Sequence, residues 1–311
     1  RQMCIRDSYT GSAVSVLRTI VSSSRALATT AKDAARFREI ATAFISHGFG
    51  WVVAQLKLRR EFQVEHDGED FTRIVLTSSD TGKRLVKVLT QLGPTWVKFG
   101  QILSTRPDIM PEAIITELES LQDSVNPVDF EDIEGQLKRH LGEDWRDNFD
   151  SVDEEPLASA SIGQVHRAVL KDGSEVVLKV QRPGIRPKIE SDLHILYVTA
   201  GYVEEAFEEA QAMDLQGMVR DFTKSISQEL DYRAEATNME RFRRNFPDRA
   251  DVYIPEVFDE LCTDEVLVME FVRGKNFNDL IEEGGDTDPL VENYFNVAYK
   301  MLFVDGFFHG D

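Results

Sequence analysis

Apolar positions return at helical spacing through residues 33–60, at Ala41, Phe44, Ile45, Phe49, Val52 and Leu56. The polar run HDGED at 66–70 breaks that pattern. A second helix is predicted over 83–104, with Gly93-Pro94 at its middle. Proline lacks an amide donor, so a kink or a helix–helix junction is expected there. Pro107 and Pro111 punctuate the following turn, and two more helices are predicted near 112–122 and 129–141. From Val152 the period changes. Residues 164–170 and 175–181 alternate as strands do, and KDGS at 171–174 supplies a hairpin turn. Helices follow over 185–210 and 215–245, then strand signals at 252–258 and 265–272. Gly284-Gly285 marks a loop, and a last helix is predicted from about 287 to 306. No internal repeat or low-complexity tract interrupts the order. The fold class read from it is α+β.

Charge narrows the functions open to such a chain. There are 55 acidic residues against 35 basic ones, for a formal charge of −20. Nucleic-acid binding draws on a surplus of Lys and Arg, so nucleic acid is not an expected partner. A broad contact with anionic lipid heads is disfavoured for the same reason. Cys4 and Cys262 are the two cysteines of the 311 residues. They allow no disulfide framework and no cysteine-type zinc site, which points to a reducing compartment. No run of about 18 uninterrupted apolar residues occurs. Residues 9–31 contain Arg18, Arg25 and several Ser and Thr but no acid. That resembles an organelle transit peptide; a frayed helical leader is the preferred reading. The chain stops at FFHGD directly behind an amphipathic pattern, so a fragment lacking its C-terminal part is expected.

Several constellations carry chemistry. Lys179 sits on the second strand of the hairpin among Val176, Val177, Leu178 and Val180. An ammonium among aliphatics needs an anionic partner, or its charge is costly to desolvate. A strand pair ending in such a lysine suits nucleotide phosphates; a solvated sheet-edge charge is the plainer alternative. The loop ahead of the pair, where glycines are usual, reads Ala158-Ser159-Ala160-Ser161. Glu235 is the candidate partner of Lys179. It shares a helix face with Asp231, while Glu229 and Asp231 point about 200° apart in a regular helix. An acidic solvated helix face would look the same. VLVMEFVRG at 266–274 reads as a strand entering a connector. There the backbone of Glu270 and Val272 would pair with an adenine edge, with Met269 behind. WVKFGQ at 96–101 sets Lys98 and Gln101 on one face around Gly100. Glycine in a helix costs about 1 kcal/mol relative to alanine, which predicts another backbone lying close. Asp311, after the last helix, is a candidate base of a catalytic loop.

Together these strings resemble the UbiB/ADCK family of atypical protein-kinase-like proteins, tied to ubiquinone biosynthesis. The likeness covers roughly residues 85–311 through LGPTWVKFGQILSTRPD, PLASASIGQVHRA, VVLKVQRPG, QELDYRAEA and FFHGD. It implies a kinase-like two-lobed fold with four parts: a leader and helices over 1–82, a helical KxGQ extension over 83–150, an N-lobe with inserted helices over 151–272, and the start of a C-lobe over 273–311. It implies binding and slow hydrolysis of ATP with Mg2+, with protein phosphorylation suppressed. Lys179 would contact the α- and β-phosphates and pair with Glu235. Ala158, Ser159, Ala160 and Ser161 would form the alanine-rich loop that replaces a glycine-rich one. Lys98 and Gln101 would belong to the KxGQ element, and Glu229 and Asp231 to the ExD element that meets it. Glu270 and Val272 would be the hinge, and Asp311 the catalytic-loop acid. Some relatives read Ala-Ala-Ala-Ser where this chain reads Ala-Ser-Ala-Ser. Alanine narrows the φ/ψ range of the loop, and the hydroxyls of Ser159 and Ser161 add donors for nucleotide oxygens.

The family's metal ligands lie beyond Asp311, so no metal site is expected within the chain and residues 1–311 alone should show no ATPase activity. Expected partners are ATP, quinone-biosynthesis enzymes, and membrane lipid or quinone precursors. The expected location is cytoplasmic and membrane-associated, or an organelle matrix if 9–31 is a transit peptide. Two other readings stay open: a non-catalytic nucleotide-switched binding module for lipid or quinone-biosynthesis enzymes, and an active Ser/Thr protein kinase.

Overall fold

The computed structural model describes residues 31–50, 79–121, 126–206, 210, 212–247, 251–275 and 277–308. The leader over 9–31 falls outside them except for its last residue. Two compact units interleave along the chain. One draws on Arg1–Pro127, Ser159–Gly163 and Arg182–Leu230, the other on Val128–Ala158, Gln164–Gln181 and Asp231–Asp311.

The first unit is helical: α1 (Ala31–Phe44), α2 (Ser79–Leu92), α3 (Pro94–Ser104) and α4 (Glu112–Leu118), joined by two later helices whose sequences lie far along the chain. The Gly93-Pro94 pair separates α2 from α3 rather than bending one helix. Gly93 adopts φ 99°, a region open chiefly to glycine, and Pro94 opens α3 where its missing amide costs nothing. The later helices are α6 (Ile185–Ala206) and α7 (Leu215–Glu229). Leu89, Leu92, Trp96, Leu118, Leu193, Phe222 and Ile226 bury their side chains in one apolar core. Inside it Arg36 donates to Asp192 at 2.6 Å and 3.0 Å and to the Leu92 carbonyl at 2.6 Å. That buried pair is charge-assisted and ties α1, α2 and α6 together.

The second unit is built on an antiparallel sheet ordered β1 (Phe149–Val152), β3 (Gly163–Leu170), β4 (Glu175–Gln181), β5 (Val266–Glu270), with β2 (Ala158–Ser159) paired to β3. Between β3 and β4, Gly173 takes φ 92°, as the predicted turn requires. The earlier helix α5 (Phe130–Leu141) places Ile133 and Leu137 with Trp145, Phe149, Val176, Leu178 and Val180 in a second core. In the register of β4 and β5, Lys179 stands opposite Leu267. The unit also contains α8 (Tyr232–Asn245), α9 (Phe277–Glu282) and α10 (Asp288–Tyr299), the last running into a π-helical turn over Lys300–Asp305.

Two expectations are corrected here. The strand predicted over 252–258 is a single bridge, Val257 to Met269. The Glu256 carbonyl and Phe258 N–H bond to Glu270 and Val268 of β5, but Pro255 has no amide to extend the ladder further. The helix predicted over 215–245 is two helices: α7 ends at Glu229 and α8 begins at Tyr232. No helix among the described residues is long and apolar enough to cross a membrane.

Candidate functional site

The break between α7 and α8 sets up the chemistry. Asp231 leaves the helical region and caps α8, its side chain accepting from the Ala234 N–H at 3.0 Å. Glu235 then lies in the first turn of α8, where the helix dipole favours a carboxylate. From the sheet, Lys179 reaches it and donates to both carboxylate oxygens at 2.8 Å. Successive strand residues alternate faces, so Lys179 projects opposite to Leu178 and Val180, which are fully buried. Its ammonium lies 4.7 Å from the centroid of the buried Tyr232 ring, a cation–π contact that the sequence reading missed. The Lys179 side chain is 27% exposed and that of Glu235 34%, so the pair is open to a ligand.

The hinge candidates lie in the same unit and behave differently. The Glu270 N–H is already taken by the Glu256 carbonyl at 2.8 Å, and its carboxylate accepts from the Tyr253 hydroxyl at 2.6 Å. That contact pushes the Tyr253 hydroxyl pKa up. Val272, by contrast, is exposed, and its N–H donates to no other main-chain group among the described residues. Between them Phe271 is clamped. Its N–H donates to the Glu175 carbonyl at 3.0 Å, and the Arg167 guanidinium lies 4.9 Å from its ring centroid. Glu175 accepts from both Arg273 and Arg167, which hold its carboxyl below the ordinary range.

In the helical unit, Lys98 of α3 pairs with Glu229, the last residue of α7, at 3.1 Å. Gln101 donates instead to the Leu121 carbonyl at 3.2 Å, and Asp231 is spent as a cap. Of the residues assigned to the KxGQ and ExD elements, Lys98 and Glu229 are therefore the ones joined by an ion pair. Gly100 is explained, but by side chains rather than backbone. A Cβ there would lie 2.5 Å from Leu121 Cδ1 and 2.6 Å from Leu89 Cδ1.

The loop residues Ala158 and Ala160 are exposed, Ser159 is half-buried and Ser161 is buried. Burial takes Ser161 out of the set of freely exposed hydroxyls. Ser159 Oγ accepts from the Arg182 guanidinium at 2.7 Å. Arg182 also belongs to a string that the sequence singled out, VVLKVQRPG, but no role was read from it. Asp311 lies outside the described residues.

An ABC1 atypical kinase-like domain matches residues 120–311, more than half of the chain. The chain belongs to the ABC1 atypical kinase-like family. Its lysine-bearing antiparallel sheet, paired by a helix, is an α+β kinase-like fold, and the likeness to UbiB/ADCK proteins stands. "Probable protein kinase UbiB" of Sodalis glossinidius is 41% identical over 74% of this chain and 43% of its own length. The proteins of the same name from Cronobacter sakazakii and Vibrio cholerae are 37% and 42% identical, covering 86% and 74% of this chain. The chain spans 43–50% of the length of these ABC1 relatives. A Mycobacterium tuberculosis protein solved with erythromycin is 28% identical, with a TM-score of 0.41 over 63% of this chain and 49% of that one.

Proposed function

We propose that this chain is the ATP-binding part of an atypical kinase-like ATPase that supports ubiquinone or lipid metabolism at a membrane, with protein phosphorylation suppressed. The observation that carries the reading is the two-oxygen grip of Glu235 on Lys179. An ammonium has three donors, and the carboxylate occupies two. The third, on a partly exposed side chain, fits a phosphate oxygen. The ring of Tyr232 and the carboxylate hold the lysine before the nucleotide arrives, so little ordering is left to be done on binding. Val272 supplies a main-chain donor suited to an adenine ring nitrogen, while the Glu270 N–H is already committed.

Mg2+ bound with the nucleotide would neutralise charge on its phosphate oxygens. Among the described residues no group of three or more His, Cys, Asp or Glu is arranged to hold a metal ion, so no metal ligand and no step through the metal is assigned to them. The Lys98–Glu229 pair is the feature that supports a working KxGQ–ExD element. In this reading that element blocks peptide substrates, and the substrates and partners are small lipids, quinone precursors and the enzymes that make them. Thermal-shift titration of the native gene product with Mg2+-ATP tests the proposal. Stabilisation of the wild type that is lost in Lys179→Ala is expected. Equal stabilisation in both proteins, or none in the wild type, removes the reading.

A further inference from the structure

The two ends of α8 are held by different means. Tyr232 and Ala236 are its buried side chains, and both lie in its first half. The far end is fixed from outside the core. The last carbonyls of a helix have no partner within it, and that of Asn245 accepts from the Lys300 ammonium at 2.7 Å. The other two ammonium protons go to the carboxylate oxygens of Asp305 at 2.8 Å and 2.6 Å, so all three donors are committed. The same nitrogen lies 4.3 Å from the centroid of the Phe246 ring, just past the helix. A cation in that place also complements the negative end of the helix dipole. A second contact runs beside the first. Gly306 takes φ 56°, in the left-handed region, and turns the chain so that the Phe307 N–H donates to the Met301 carbonyl at 3.0 Å. The Phe307 ring then meets that of Phe242 in α8 at 4.7 Å, with the Arg241 guanidinium 3.9 Å from its centroid.

We propose that Lys300 is a positioning residue for the Lys179–Glu235 pair: by gripping the last carbonyl of α8 it fixes where that helix lies along its axis, and so where Glu235 meets Lys179. Glu235 and Asn245 stand about 15 Å apart along the axis, at a rise of about 1.5 Å per residue. A helix is stiff in that direction, because each residue is bonded to the one four positions on. A slip at Asn245 therefore moves the carboxylate in the first turn. That carboxylate accepts from Lys179 through both oxygens at 2.8 Å, and hydrogen bonds weaken steeply as they are bent or stretched. Every residue in this chain of contacts, from β4 to the π-helical turn, belongs to the sheet unit. Its bearing on a nucleotide rests on the reading given above, whereas the coupling to Lys179 is open to measurement without one.

The test follows the Lys179 amine itself in the native gene product. An amine held by a carboxylate is masked from an acylating reagent, and one released is open to it. Acylation by an N-hydroxysuccinimide ester, read by mass spectrometry without nucleotide, is compared in the wild type, Glu235→Gln, Lys300→Arg and a double variant, Lys300→Met with Asp305→Asn. The double variant removes both charges, so no half-buried carboxylate is left unpaired. Lys179 acylation should rise about fivefold in Glu235→Gln and about threefold in the double variant, the scale of one hydrogen bond. It should stay within about twofold of the wild type in Lys300→Arg, which keeps a cation and its donors. Adding Glu235→Gln to the double variant should give no more acylation than Glu235→Gln alone, because both act through one contact. A merely structural role would lower the melting temperature without that coupling. A fluorescent ATP analogue should bind the double variant about threefold more weakly than the wild type, on the same scale. Lys179 acylation at the wild-type rate in the double variant, multiplying effects, or an analogue that binds both proteins equally well would each overturn the inference. If the wild type binds no analogue while acylation behaves as expected, the nucleotide reading falls and this one stands.

Discussion

Two lysine–glutamate pairs stand in contrasting settings. Lys179 reaches from a strand to both oxygens of Glu235 at 2.8 Å, over an aromatic ring. Lys98 reaches from a helix to one oxygen of Glu229 at 3.1 Å. Glu235 sits in the first turn of its helix and Glu229 at the last residue of another, so the helix dipole favours the first carboxylate and opposes the second. Lys98 and Glu229 are 20% and 38% exposed, close to the exposure of the other pair. Pairs so open to water contribute about 0–1 kcal/mol each to stability. Fold stability accounts for neither, and least of all for a glutamate placed against a dipole. In the proposed reading the sheet pair is the one pre-set for a ligand, while the helical pair owes its position to the packing around Gly100.

The largest effect should expose that packing. Gly100→Ala would drive a methyl into Leu89 and Leu121 and destabilise the protein by about 1–3 kcal/mol. Gly135→Ala, in α5 with nothing within 4 Å, should stabilise by about 0.5–1 kcal/mol. Urea unfolding checks both, and equal effects would mean that Lys98 is not placed by the Gly100 contact. Next, Glu235→Gln should lower ATP affinity about tenfold by calorimetry, the scale of one charged hydrogen bond, since Lys179 loses its holder but keeps its charge.

A pH effect follows for the sheet unit. The His166 Nδ1–H donates to the Asp153 carbonyl at 3.0 Å, and the Gln164 amide donates to Nε2 at 3.3 Å, so the ring is neutral. Burial lowers its pKa below the ordinary 6.5. The unfolded chain then binds more protons, so stability falls as pH drops through that value and levels off below the folded pKa. Unfolding free energies between pH 7.5 and 5.5 should show this slope, and His166→Gln should flatten it. The smallest effect is expected from Lys98→Met: ATP affinity within about twofold, and a loss of at most about 1 kcal/mol. A tenfold loss of affinity there would erase the contrast between the pairs.

Periodicity and turn chemistry were enough to place the hairpin, the Gly93-Pro94 junction and the helix over 287–306, because each is decided by residues close in sequence. The break at Leu230 was hidden. Asp231 reads equally well as a helix-face acid and as a cap, and the choice is made by its bond to Ala234. The segment over 252–258 has strand-like residues, yet Pro255 and the contact of Tyr253 with Glu270 hold it as a bridge. Lys179 and Glu235 were picked out by the strings VVLKVQRPG and QELDYRAEA, since spacing alone left a solvated strand edge and a solvated helix face open. Arg182 and Tyr232 were not, since their partners lie 22 to 56 positions away for Arg182 and a lysine on a distant strand for Tyr232.

Phosphorus NMR of ATP titrated with the native gene product and with Lys179→Met tests the central claim most directly. The α- and β-phosphate resonances should shift and broaden with the wild type and stay as in free ATP with the variant, while circular dichroism shows both proteins folded. The same phosphate perturbation with both proteins would contradict the account.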